Sequence, residues 1–520
     1  MPPHTQQRKR RWPLVAATAT LAAVVAATVI VAMGARFWWA PADVPTPKPE
    51  PETSISATAA TTAASSMDAL ADLTVQTAPA VDGETLDVWV DASETRQSID
   101  GFGAALTHSS AQLLTELSHE ARRQLLEELF APDGPVRLSV VRVPIGASDF
   151  SPVAPFTFDD IPAGETDWTL ERFDLSPDWG ALIPVLQQIV EIQPNVQIVA
   201  SPWSAPAWLK TTGRLEGGRL LDEDRAYDTY ADYLARWVRE YRNAGIDVSY
   251  LTVQNEPQLR HPDGYPGTDM PVWQEAKLIE RLVPALRSIG ASTKILGFDH
   301  NWELNPSDAA TTPAGEDPAY DYAADLLRSQ AGSIIAGTAY HCYYGSPERM
   351  TRQAEEFPNK EIWVTECSGS HGPGDDRGRV FADTLAWQST NLLIGSLRNQ
   401  ASAVLTWNLA LDENGGPHHG GCETCTGVVT IGPDQQISRN AEYAVLGQAA
   451  RYLSPGSVRV ESSADPDLPS VAFRTPSGRT VVLVWNPADR PSPVAIGDGT
   501  STVRAELPAR SLTTFEWGDG

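Results

Sequence analysis

Short β-branched runs alternate with longer amphipathic helical patterns eight times over about 310 residues, which predicts an α/β fold with a (β/α)8 barrel. Beyond residue 440 the pattern changes to alternating apolar and polar residues punctuated by Pro and Gly, predicting an attached antiparallel β-sandwich. Ahead of both, an uncharged run and then a Pro-rich stretch predict a transmembrane anchor and a disordered stalk.

Residues 1–11 end in Arg8, Lys9, Arg10 and Arg11 and read as a basic cytoplasmic tail. Residues 12–35 hold no charge over 24 positions, enough to cross a bilayer, and Arg36 follows. A cleaved signal has a shorter apolar region of about 7–15 residues, so an uncleaved anchor is expected. A cleaved signal ending at Met33, Gly34 and Ala35 is the alternative, and on either reading the remainder is exported, at the cell surface or secreted. Residues 36–80, rich in Pro, Ala, Thr and Ser, read as a linker from which no core can be built, so the folded part is expected to start near Val81.

Residues 81–97 are assigned to an N-terminal strand of the sandwich because residues 86–90 alternate. Residues 98–440 are assigned to the barrel and 441–520 to the C-terminal sandwich. The barrel strands are expected to end near Gly103, Val143, Ser201, Gln254, Asp299, His341, Glu366 and Asn408. One intervening helix is marked by Tyr230, Tyr233, Leu234, Trp237, Val238 and Tyr241 at helical spacing, with Gly245 as its stop.

With 520 residues, 42% of them hydrophobic, the chain can bury a large core. A net charge of -27 would repel phosphate backbones, and the dense basic run is confined to the extreme N-terminus, which excludes nucleic acid as a partner.

In a barrel of this type the active site lies at the C-terminal ends of the strands. Two apolar strands end there in a carboxylate, one running into Asn255, Glu256 and Pro257 and the other ending in Glu366. By count they are the fourth and seventh. Retaining hydrolysis of a glycosidic bond needs such a pair, one carboxyl protonating the leaving oxygen and the other attacking the anomeric carbon. The acid is expected to have a raised pKa and the nucleophile to be ionised, with Arg142 in the second strand as the supporting cation that separates them.

The chain resembles glycoside hydrolase family 30, which contains glucosylceramidases and endo-β-1,6-glucanases. The resemblance runs from about Asp100 onward. It is carried by Asp100-Gly101-Phe102-Gly103, by Arg142-Val143-Pro144-Ile145-Gly146 with Ser148-Asp149-Phe150, and by Ser201-Pro202-Trp203-Ser204-Ala205-Pro206 with Trp208-Leu209-Lys210. Gln254-Asn255-Glu256-Pro257, His341 with Tyr343, Thr365-Glu366-Cys367 and Thr406-Trp407-Asn408 continue it. It implies a retaining β-glucosidase with Glu256 as acid/base and Glu366 as nucleophile. Asp149, Trp203, Asn255 and Trp407 would contact the glucosyl unit, with His341 and Tyr343 near the nucleophile. No cofactor or metal is implied. The implied partners are a β-glucoside, either glycolipid or β-glucan, and a membrane through the N-terminal segment. A non-catalytic cell-surface carbohydrate-binding protein is the alternative from another class.

An exported chain favours disulfides. Cys422 and Cys425 are expected to close a tight loop, the alternative being a zinc site with His418 and His419; Cys342 and Cys367 either pair or stay as buried thiols. The Cys422 loop departs from animal-type glucosylceramidases and looks more like microbial members. The rim residues Arg260, His261, Asp263, Glu316 and Asp317 are polar, which leaves glycolipid and glucan nearly balanced as substrates.

Overall fold

A computed structural model describes residues 55–260, 264–372 and 374–519. The tail, the anchor and the first part of the linker lie outside the described residues. Among the described residues no helix is long and apolar enough to cross a membrane.

Eight parallel strands close the barrel in chain order: Gly101–Ala105, Val140–Ile145, Gln197–Pro202, Val248–Thr252, Lys294–Asn301, Gly337–His341, Glu361–Glu366 and Ala403–Asn408. These runs can be almost wholly apolar because each strand is covered on both faces, by the barrel interior and by the helical ring. The helix after the third strand, Asp224–Asn243, buries Tyr230, Tyr233, Leu234, Trp237, Val238 and Tyr241.

Seven strands contribute Val140, Val199, Tyr250, Leu296, Ala339, Trp363, and Ala403 with Leu405 to one apolar cluster inside the barrel. Side chains alternate along a strand, so residues two further on face the same interior nearer its C-terminal end. From Val140 this leads to Arg142, from Val199 to Ser201 and Trp203, and from Tyr250 to Thr252. It leads likewise from Ala339 to His341, from Trp363 to Thr365 and from Leu405 to Trp407. An apolar plug at one end therefore gives way to polar groups at the other. The fifth strand breaks the rule: its register slips against the sixth, and Phe298 and Asp299 both have positive φ (74° and 58°). The slip brings Asp299, three residues beyond Leu296, against Arg142 and His341.

The sandwich strands follow the order Ala71–Asp72, Ile55–Ala63, Ser511–Asp519, Thr480–Asn486, Ser470–Arg474, Val458–Ser462, Val88–Ser98, Ser492–Gly497, Ser501–Leu507 and Gln76–Pro79. Val88–Ser98 pairs with Val458–Ser462 on one side and Ser492–Gly497 on the other, so the segment just before the barrel is built into the C-terminal sheet.

Two expected boundaries need correction. The linker does not reach residue 80: Ile55–Ala63 pairs along its whole length with Ser511–Asp519, and Ala59, Ala60, Thr61 and Thr62 are buried. Its small Ala and Thr side chains, which read as low complexity, suit a strand packed under a helix. The barrel also does not stop at 440. Helix Ala441–Ala450 follows the eighth strand and is buried throughout. Its Gln448 holds the two parts together, accepting from Thr514 Oγ1 at 2.6 Å and donating to Thr62 at 3.2 Å.

Candidate active site

Glu256 follows the fourth strand in a left-handed backbone conformation, φ 47°, directly before Pro257. A residue preceding proline ordinarily prefers extended backbone, so this is a local cost held by the surrounding structure. Glu366 ends the seventh strand. Oxygens of the two carboxylates and a ring nitrogen of His341 lie within 4.8 Å of one another.

Each carboxylate has its own partners. Glu366 Oε2 accepts from Arg142 Nη1 at 2.5 Å and its Oε1 from the Tyr343 hydroxyl at 3.0 Å. Glu256 Oε1 lies 3.1 Å from His341 Nδ1 and 3.8 Å from His300 Nε2. Arg142 is fully buried, so its charge is stabilised only by what it touches: Glu366, Asn255 Oδ1 at 2.8 Å and Asp299 Oδ2 at 2.9 Å.

The two carboxyls are pushed in opposite directions, Glu366 up and Glu256 down, the reverse of what their two roles would need. Burial raises the Glu366 carboxyl, helped by the charge of Glu256 and opposed by His341 and Arg142. Glu256 bears the same burial penalty, but the hydrogen bond from His341 and the charges of His300, His341 and Arg142 bring it below its ordinary value. The cause is His341. Burial would lower it, yet Glu366, Asp299 and Glu256 raise it to about 9, so it is an imidazolium at neutral pH. A metal at this carboxylate pair would have to displace the Arg142 guanidinium and meet that imidazolium, so the charges favour hydrogen-bonded carboxylates.

A cavity of about 380 Å3 opens over the pair, lined by Asp149, Leu259, Tyr265, Tyr343, Trp407 and the Cys422 loop. Burial and the charges of Glu366 and Glu256 push Asp149 up to about 8. Trp407 lines this cavity; Trp203 does not. Trp203 stacks behind it, ring centroids 5.3 Å apart and planes 22° apart, with the Arg142 guanidinium carbon 5.0 Å from its ring. The two-indole sugar wall is thus reduced to one face, since Trp203 serves Arg142 and Trp407. Asn255 uses its Oδ1 on Arg142, which leaves its Nδ2 hydrogens for a ligand. Tyr343 is 43% exposed, its ring at the mouth and its hydroxyl on Glu366.

Both cysteine pairs are closed, Cys422 with Cys425 and Cys342 with Cys367. The zinc alternative fails because the Cys422 and Cys425 sulfurs are bonded to each other, while His418 and His419 face carbonyl oxygens of Gly420 and Ser151. The loop is clamped to Asp149: the His419 N–H donates to its backbone carbonyl at 2.7 Å, and a Cβ on Gly421 would meet Asp149 Oδ2 at 2.4 Å. Asp299, His300, Leu259 and Tyr265 were not singled out from the sequence as site residues. An acid at the end of the fifth strand was the available signal for Asp299.

Residues 99–445 match the glycosyl hydrolase family 30 TIM-barrel domain, and residues 456–515 match the family's beta sandwich domain. The chain belongs to glycoside hydrolase family 30. Like other members it is an O-glycosyl hydrolase. An endo-1,6-beta-D-glucanase of Aspergillus fumigatus is 31% identical over 423 residues, 76% of this chain and 80% of that one. The lysosomal acid glucosylceramidase of Mus musculus is 28% identical over 437 residues, 81% of each chain. A solved endo-beta1,6-glucanase superposes with a TM-score of 0.77 at 27% identity, covering 89% of this family 30 chain and 99% of its own.

Proposed function

We propose that this family 30 enzyme cleaves β-1,6-linked glucan with retention, using Glu256 as acid/base and Glu366 as nucleophile. The observation that carries the reading is the carboxylate pair, with oxygens within 4.8 Å. That fits the separation of about 5–5.5 Å used by retaining enzymes and is too short for the water that inverting enzymes place between carboxyls about 6.5–9.5 Å apart.

The free site favours the proton on Glu366, so the pair's one proton has to pass to Glu256, whose oxygen lies within 4.8 Å, before the chemistry begins. In the first step the ionised Glu366 then attacks the anomeric carbon, the glycosidic C–O bond breaks, and Glu256 gives that proton to the departing oxygen. In the second, Glu256 takes a proton from water, whose oxygen displaces Glu366 and regenerates both groups. Arg142 and Tyr343, both bonded to Glu366, stabilise it as an anion when it leaves the sugar. Asp149 and Trp407, which line the cavity, are the sugar contacts: Asp149 bonds to hydroxyls and Trp407 packs on a ring face. Asn255 is outside that lining, but its free Nδ2 hydrogens make it the donor to the 2-hydroxyl.

A glucan is preferred over a lipid on the strength of the fungal endo-1,6-beta-D-glucanase relative and of the solved endo-beta1,6-glucanase that superposes over 89% of this chain. Glucosylceramide is the second reading, favoured by the mouse glucosylceramidase aligning over 81% of both chains. We read residues 12–35 as a membrane anchor on the strength of their uncharged length, with the catalytic part exported.

The test is hydrolysis of β-1,6-glucan and of glucosylceramide side by side, with Glu256→Gln and Glu366→Gln as controls. Glucan oligosaccharides from wild type alone support the reading. Glucose from the lipid alone selects the second, and inactivity of wild type on both would sink the substrate class.

A further inference from the structure

The fully buried carboxylate of Asp299 joins the two halves of the site, and resting on the glycosidase reading above we infer that it is a positioning residue for both catalytic glutamates. Asp299 Oδ2 lies 2.9 Å from Arg142 Nη2, 2.8 Å from Ser201 Oγ and 2.7 Å from Thr252 Oγ1. The Thr252 hydroxyl is also 2.6 Å from Ser201 Oγ, so its single proton serves one of the two. Asp299 Oδ1 lies 2.7 Å from Thr365 Oγ1 and 3.1 Å from His341 Nε2. Five strands of the barrel thus converge on one carboxylate.

Two of those partners reach the reacting groups. The guanidinium that meets Asp299 through Nη2 meets Glu366 through Nη1, so Asp299 fixes the plane in which Arg142 addresses the nucleophile. A carboxylate only accepts, so the His341 nitrogen facing Asp299 carries a hydrogen. The other ring nitrogen, Nδ1, is then the one that exchanges a proton with Glu256. This is the histidine-orienting role of a carboxylate, applied here to the neighbour of an acid/base.

Asp299 is also the counter-charge of the site. Arg142 and His341 face it directly, Glu256 and Glu366 lie one group beyond, and His300 and the buried Glu275 of helix Val272–Ser288 feel its charge. Burial would raise Asp299, but the charge of Arg142 and the bonds from His341 and Thr365 hold it well below the usual carboxylate range. Its negative charge is therefore held by the partners that face it.

The test is Asp299→Asn in the full chain, assayed on a β-1,6-linked glucose disaccharide across pH. The amide cannot accept from both Arg142 and His341, because one of its two ends is a donor. With the negative charge gone, Arg142 and His341 act uncompensated on both glutamates, so both limbs of the kcat/KM profile move to lower pH by about half a unit to one unit. We expect kcat to fall by about 10- to 100-fold with KM changed by less than about 3-fold. A merely structural role would lower Tm and leave the limbs in place, and unmoved limbs with wild-type kcat would overturn the inference. If the variant fails to fold, Ser201→Ala carries the test, since it removes one donor from Asp299 and touches neither glutamate. A fall in kcat of about 3-fold at constant KM supports the inference; wild-type kcat and limbs overturn it. Wild-type inactivity on every β-glucoside, by contrast, would remove the glycosidase reading and this inference with it.

Discussion

Replacing His341 with Gln should move the alkaline limb of the pH profile upward. In the wild-type site the imidazolium hydrogen-bonds Glu256 at 3.1 Å and lowers its pKa, so the proton needed by the leaving group is lost early as pH rises. A hydrogen bond to a charged group is worth about 1.5–3 kcal/mol, so losing it raises Glu256 and carries the alkaline limb upward with it. Stability should change in a linked way. His341 is raised from 6.5 to about 9 in the folded protein, so its contribution is fully present below pH 6.5 and lost as pH climbs through about 9. That loss amounts to about 3 kcal/mol. Two measurements follow: kcat/KM against pH on an unactivated β-1,6 disaccharide, and denaturant unfolding between pH 6 and about 9.5. The variant should show the shifted limb and a flatter stability profile. An alkaline limb that stays put or falls would refute the assignment of His341 as the group lowering Glu256.

The two disulfides should separate stability from binding. Cys342 and Cys367 are 25 residues apart, so opening them by double Ser substitution should cost about 3–4 kcal/mol in denaturant unfolding, whereas Cys422 and Cys425, 3 apart, should cost about 2. The Cys422 and Cys425 double variant should instead raise KM several-fold, because the loop that packs on Asp149 is loosened. A chain started at Val81 should melt about 5 °C or more below one started at Thr53, since it loses nine residues of pairing with Ser511–Asp519. Equal melting of the two would contradict the placement of Ile55–Ala63 in the sandwich.

The barrel was legible because its strands are apolar runs that end in polar residues, and all eight expected ends lie within two residues of the observed ones. The carboxylate pair was legible for the same reason. Asp299 was not, since strict alternation from Leu296 turns Phe298 inward and Asp299 outward, and only the irregularity in the fifth strand reverses this. Ile55–Ala63 was hidden because its strand character depends on a partner more than 440 residues away, while its Ala and Thr content resembles a linker. Trp203 shows a limit of another kind. Its position at a strand end was read correctly, but whether an indole faces sugar or a neighbouring Trp depends on packing that the spacing does not encode.

The most direct test of the central claim is to trap the covalent intermediate. A 2-deoxy-2-fluoro-β-glucoside with an activated leaving group slows breakdown of a glycosyl–enzyme more than its formation, so a retaining enzyme should accumulate it. Digestion and mass spectrometry should then find the added sugar on the peptide containing Glu366, and Glu366→Gln should remain unlabelled. A label on any other residue, or turnover that releases the inverted anomer with no label at all, would contradict the account.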